Sequence, residues 1–185
     1  MNGARRFATR SFAARVTGLA WRSAILLVAL LTTAGASAKG FAIDDLTPIG
    51  DAAAAALGPG YIFRAEPRRV SLYCPECTGA PMVDILLGTQ TDGTEERVRS
   101  GATTMAHMER LCRAKNDGCR ITALDVAPAV GWVSHYPRPS GEGSTAVIIR
   151  DGQLLTLRVI AGGTGTATEV IERLLPLAQE KVIGR

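Results

Sequence analysis

The sequence predicts an α+β domain: a small, mainly antiparallel sheet with two helices packed on one face, stabilised by disulfides. Three observations predict it. Asp92-Gly93 and Asp151-Gly152 are short-range turn signals of the kind that join neighbouring strands antiparallel. Helical patterning is clear in only two long stretches, residues 103–116 and 166–182, too few helices to cover both faces of a parallel sheet. Four cysteines, Cys74, Cys77, Cys112 and Cys119, form an even set within a short segment.

The first 38 residues read as a secretory signal, which sets the compartment in which those cysteines are interpreted. They hold five arginines, ending at Arg22, and no acid. The apolar stretch from Ala24 to Leu31 follows, and Ala36-Ser37-Ala38 supplies the small residues a signal peptidase accepts, placing the cut before Lys39. The uncharged run from Ser23 to Ala38 is shorter than the ~20 residues of a stable membrane-spanning helix. An uncleaved N-terminal anchor is the alternative. Export to the periplasm, or secretion, is therefore the expected localisation, with no stable membrane span after cleavage. The chain carries 21 basic and 17 acidic residues. Removing the five leader arginines leaves it close to neutral, at −1. The basic character belongs to the leader, so no nucleic-acid partner is expected.

Residues 39–60 are expected to form an N-terminal arm with one short helix, and residues 61–185 a single α+β domain. Asp51 is placed to cap the alanine-rich helix, and Gly58-Pro59-Gly60 to stop it. Residues 61–63 and 70–73 read as strands flanking an exposed turn, Pro67-Arg68-Arg69. Two prolines and a glycine make residues 74–81 a tight loop. Val83, Ile85 and Leu87 alternate, as a half-buried strand requires. Residues 95–100 are expected to return as its hairpin partner, with a helix over 95–99 as the alternative.

A helix follows, capped by Thr103 or Thr104, with Met105, Met108, Leu111 and Cys112 on one face expected in the core. Asn116-Asp117-Gly118 ends it. Residues 121–126 and 130–136 read as strands. The stretch Pro137-Arg138-Pro139-Ser140-Gly141, with Glu142-Gly143-Ser144 after it, reads as loop. The best hairpin joins residues 146–150 to residues 153–160 across Asp151-Gly152. A terminal helix opens with a capping box, Thr166 and Glu169. It carries the stripe Val170, Leu174, Leu177 and Val182, and Pro176 strains it midway.

Cys74-Pro-Glu-Cys77 is the one segment resembling reactive chemistry, since a CxxC pair can cycle between dithiol and disulfide. A redox-active first cysteine is helped by a helix N-terminus, whereas Thr78-Gly79-Ala80-Pro81 is a poor helix start. In an oxidising compartment all four cysteines are expected in disulfides, with three possible pairings. Four cysteines also suit zinc, but the Cys112–Cys119 spacing is too long for the usual site, so no metal or other cofactor is expected. Met105, His107, Met108 and Cys112 would suit copper, but Met105, Met108 and Cys112 fall at i, i+3 and i+7, the spacing of a buried stripe, and His107 points sideways from it. Trp132, His135 and Tyr136, together with Arg68 and Arg69, form the weakly marked binding candidates. Ser134 neighbours His135 but faces the other way on a strand, so the two make no catalytic pair.

These readings converge on an exported, disulfide-stabilised, non-catalytic binding or accessory protein, its partner another envelope protein. The enzymatic alternative is a thiol–disulfide protein using Cys74 and Cys77. The third is a structural metal-binding protein using the four cysteines.

Overall fold

The computed structural model describes residues 40–184; the expected signal segment, residues 1–38, lies outside them. The described residues build seven strands, joined in one antiparallel sheet, and four α-helices. In chain order these are α1 (Gly50–Leu57), β1 (Ile62–Glu66), β2 (Arg69–Tyr73), β3 (Met82–Thr89) and α2 (Thr94–Arg99). There follow α3 (Met105–Arg113), β4 (Arg120–Ala123), β5 (Val130–Arg138), β6 (Gly141–Arg150), β7 (Gln153–Ala161) and α4 (Thr166–Leu177). Their spatial order is β1-β2-β3-β7-β6-β5-β4, every neighbouring pair antiparallel.

The Asp151-Gly152 turn forms as expected. Arg150 pairs with Gln153 across two residues, and Asp151 takes φ +51, the left-handed backbone that a type I′ turn demands. On β7 the alternation places Leu155, Leu157 and Val159 in the core and Arg158 on the opposite face. Register carries the core face across neighbouring strands: Val70 lies opposite Ile85, Ile85 opposite Leu157, and Leu157 opposite Ala146. All four are buried.

The core is closed by α4, which contacts α1, β6 and β7, and by α1, which also contacts β1. From α4 the buried residues are Ala167, Val170, Ile171 and Leu174, and a π-helical turn, Ala178–Ile183, adds Ala178, Val182 and Ile183. Pro176 sits just before that change of geometry, where its missing N–H removes one i→i−4 bond. The arm joins the same core through Phe41, Leu46 and Ile49, and α1 through Ala53 and Leu57.

Several elements differ from the expectation, each for a local reason. Asp51 is not a cap: a 3-10 turn, Thr47–Ile49, runs directly into α1, and Asp45 accepts from the Thr47 amide (2.7 Å) at its start. Residues 95–100 are not a strand, because β3 already has partners on both edges, β2 and β7. The segment is helical instead, with Asp92 accepting from the Thr94 amide. Thr104 does cap α3, accepting from the His107 amide, but α3 buries no residue and Leu111 is exposed. It contacts β4 at the sheet margin, so its apolar stripe is not part of the core. Among these helices, α1 and α4 supply the buried residues of the core.

Residues 137–138 and 141–144 are strand, not loop, with only Pro139 and Ser140 between β5 and β6. Pro137 is tolerated because β4 pairs with β5 only as far as His135, leaving that flank without a ladder bond to lose. The expected strand over 121–126 shortens to β4. The capping box at Thr166 does not form. The cap position is Gly165, and the first turn is satisfied from outside by Glu142 of β6, which accepts from the Ala167 amide at 2.6 Å.

Candidate functional site

The strand residues that alternate with the core positions line a second, open face, and its most apolar part is a row crossing several strands. Ile62 lies opposite Tyr73, Tyr73 opposite Met82, Met82 opposite Ile160, Ile160 opposite Gly143, and Gly143 opposite Tyr136. At the β1 end the row is uncovered: Ile62 is 65% exposed, Tyr73 38% and Met82 60%. Toward β5 it is half-buried, and a Cβ at Gly143 would collide with the Tyr136 ring, so the ring occupies the space a side chain there would fill.

The next row of the same face is polar. Asp84 accepts from Arg69 Nη2 (2.6 Å), Arg158 Nη2 (2.8 Å) and Ser71 Oγ (2.9 Å). Burial alone would raise the Asp84 pKa, but the bonds from Arg158, Arg69 and Ser71 outweigh it and hold the carboxyl below its ordinary range. An open cavity of about 310 Å³ lies between Ile62, Tyr73, Met82, Arg69 and Asp84. It joins an apolar floor to a fixed polar wall, the composition of a contact surface.

A larger hollow, about 770 Å³, opens at the other end of the strands beside Glu95, Glu96, Arg99, Arg150 and Asp151. Its central carboxylate is already committed. Glu95 accepts from Arg99 (2.7 Å) and from the Gly152 amide (3.1 Å). Burial raises its pKa, but the Arg99, Gly152 and Asp151 contacts bring it below the usual value. The arrangement clips α2 to the β6–β7 turn.

The cysteines pair locally, Cys74 with Cys77 and Cys112 with Cys119. Cys74 is fully buried beside Gly60, and Cys77 is half-buried. No helix starts at Cys74; the loop turns back through the Ala80 amide to the Cys77 carbonyl (2.8 Å), then enters β3. Nothing there resembles the helix terminus that stabilises a reactive thiolate. With both bonds formed, none of the four sulfurs is a thiolate ligand. Among the described residues no group of three His, Cys, Asp or Glu is placed to hold a metal ion.

The structure separates the other candidates. Trp132 and Tyr136 are half-buried on the open face, whereas His135 faces the core side of the sheet. There His135 Nδ1 lies 2.7 Å from Ser144 Oγ and 3.1 Å from Thr168 Oγ1, linking β5, β6 and α4. Ser144 is only 1% exposed, so its hydroxyl is closed off from solvent. Arg68 is exposed in the β1–β2 turn, and Arg69 belongs to the Asp84 cluster. His107, on exposed α3, shares Nδ1 with Arg110 (3.2 Å).

Sequence reasoning missed Ile62, Tyr73, Met82, Asp84 and Arg158. Pairing of β1 with β2 and of β2 with β3 aligns the first four, and Arg158 joins them only through β3 pairing with β7, about 70 positions away and joined by no local turn. No protein-family model, curated protein or solved structure matches the chain.

Proposed function

We propose that the chain is an exported, disulfide-stabilised binding or accessory protein of the cell envelope, and that it works by docking another envelope protein rather than by catalysis. The observation that carries this reading is the uncovered row Ile62–Tyr73–Met82 beside the Arg69–Asp84–Arg158 cluster. Large apolar side chains gathered at one place on a surface, rimmed by ordered charge, are what a protein interface needs. Among the described residues, four of the five exposed large apolar side chains lie at this end of the sheet: Ile62, Tyr73 and Met82 on the open face, and Phe63 on the other face of β1. Two local disulfides support an oxidising compartment, and no helix of the described residues is long and apolar enough to cross a membrane.

Photo-cross-linking in the host tests the reading. A benzophenone side chain in place of Met82 is expected to give a discrete adduct with another protein. The same group at Glu180, exposed on the C-terminal π turn, is expected to give none. Equal labelling from both positions, or no adduct from position 82, rejects the docking face.

A further inference from the structure

The exposed apolar row ends at β1, and β1 is also an open edge. Among the described residues it is the terminal strand of the sheet, pairing only with β2. Glu66 and Arg69 close a two-residue turn and so exchange both of their ladder bonds. Alternation then directs Arg64 and Ile62 toward β2 and turns the backbone groups of Phe63 and Ala65 outward. The far side of β2 has the matching phase, with Leu87 N donating to Arg68 O (3.0 Å) and Cys74 N to Pro81 O (3.2 Å). At the turn end the edge is closed: the Pro67 carbonyl accepts from Leu46 of the arm (2.9 Å). The open stretch is therefore residues 61–65.

Charge says what fits there. Residues 61–73 carry three arginines, Arg64, Arg68 and Arg69, against one acid, Glu66, in a chain that is near neutral beyond its first 38 residues; Arg69 is held by Asp84, which leaves Arg64 and Arg68 beside the edge. The Arg64 side chain is 83% exposed and, among the described residues, pairs within its own strand to Glu66 (2.8 Å). A surface pair of that kind gains little and is readily exchanged for a better one. On one side of the open edge stand Ile62 and Arg64; on the other stands Phe63, 41% exposed.

We propose that β1 accepts an extended segment of the partner protein as an eighth, antiparallel strand, with an acidic side chain opposite Arg64 and apolar side chains opposite Ile62 and Phe63. Main-chain bonds to Phe63 and Ala65 supply the attachment, and the alternating side chains supply the selection. A second copy of this chain is a poor occupant. A two-fold axis at Arg64 sets two guanidinium groups against each other. One at Phe63 sets Arg64 opposite Ile62. One at Ala65 sets Phe63 opposite Pro67, which has no N–H and whose carbonyl is already engaged. None of the three gives Arg64 a new acid and a complete ladder together.

This inference rests on the docking reading, and its test separates the two. The probe is a blocked synthetic pentapeptide, in order threonine, glutamate, valine, leucine, valine, titrated into the 15N-labelled full chain; the control has lysine for glutamate. The amides of Phe63 and Ala65 are expected to shift and to exchange more slowly with solvent. The lysine peptide is expected to bind at least tenfold more weakly, and Arg64→Glu is expected to reverse that preference. Ala65→Pro, which removes an outward N–H, is expected to abolish binding. Equal binding of the two peptides, shifts confined to other residues, or binding that survives Ala65→Pro would overturn strand addition. So would concentration-dependent shifts of β1 without peptide, which would assign the edge to a second copy. If the Met82 adduct forms while the peptide fails, strand addition is wrong and the docking face stands; if both fail, so does the reading beneath.

Discussion

The amide of Gly162 donates to the carbonyl of Gly79 at 2.7 Å, tying the loop that carries the Cys74–Cys77 bond to the joint between β7 and α4. The approach is close enough that a Cβ on Gly79 would overlap the Gly162 carbonyl oxygen, and Gly79 already holds φ +74. Both facts penalise any other residue there. Gly79→Ala is expected to lower stability by about 2 kcal/mol, the sum of a left-handed backbone penalty and displacement of the neighbouring chain. A drop in the urea midpoint with an unchanged slope is the expected record. An unaltered midpoint would mean that the loop is not held by this contact.

Asp84 gives the open face its pH dependence. Its folded pKa lies below the ordinary value of 3.8, because the bonds from Arg158, Arg69 and Ser71 outweigh burial. Its contribution is therefore fully present above the unfolded pKa and is lost as pH falls through the folded one. At pH 7, Asp84→Asn is expected to cost about 1–2 kcal/mol, a range kept low because both arginines are half exposed to solvent. The deficit should shrink as both proteins are unfolded at successively lower pH below about 4. A difference that stays constant down to pH 2 would show that the carboxylate charge is not what the cluster uses.

The Cys112–Cys119 bond is expected to act locally. Helix α3 contributes no buried side chain, so its hold on the domain comes from this bond, its contacts with β4, and Glu109, which accepts from the Ile121 amide at 3.0 Å. In the chain-entropy account, closing so short a loop is worth about 2–3 kcal/mol. Replacing both cysteines by alanine is expected to speed amide exchange in α3 far more than in β6 and β7, whose protection reports global opening. Uniform loss of protection would place α3 within the cooperative core.

What the sequence made legible follows from distance along the chain. The Asp151-Gly152 hairpin, the alternation of β3 and the apolar stripe of α4 are local patterns, and each was readable. Residues 95–100 were misread because the true neighbour of β3 is β7, supplied from near the chain's other end. The stripe on α3 was misread because periodicity reports an amphipathic face and not what covers it. Residues 137–144 were misread as loop because their prolines and glycines are sheltered by circumstances invisible locally: a flank beside Pro137 that β4 does not reach, and the Tyr136 ring over Gly143. The docking row lay beyond reach because composition does not show which residues of consecutive strands stand opposite one another. Ile62, Tyr73 and Met82 are unremarkable singly and become a surface only through register.

Glu142 shows how a long-range contact can replace a local signal. Thr166 and Glu169 have capping-box spacing, yet the helix is capped at Gly165 and the Ala167 amide is taken by Glu142 Oε1 at 2.6 Å. The carboxylate satisfies one orphan N–H and places negative charge at the positive end of the α4 dipole. Its backbone is fixed by pairing with Pro137 on one side and Ala161 on the other, so it is presented with little loss of freedom. Glu142→Ala is expected to cost about 1 kcal/mol, the usual value of a lost N-cap. Glu142→Gln keeps the acceptor but removes the charge, so it should recover about half of that loss. Thermal or urea unfolding of the two variants measures both contributions. Equal loss in both would make the charge the whole effect, and no loss in either would show that Thr166 and Glu169 can form the local cap when the distant one is removed.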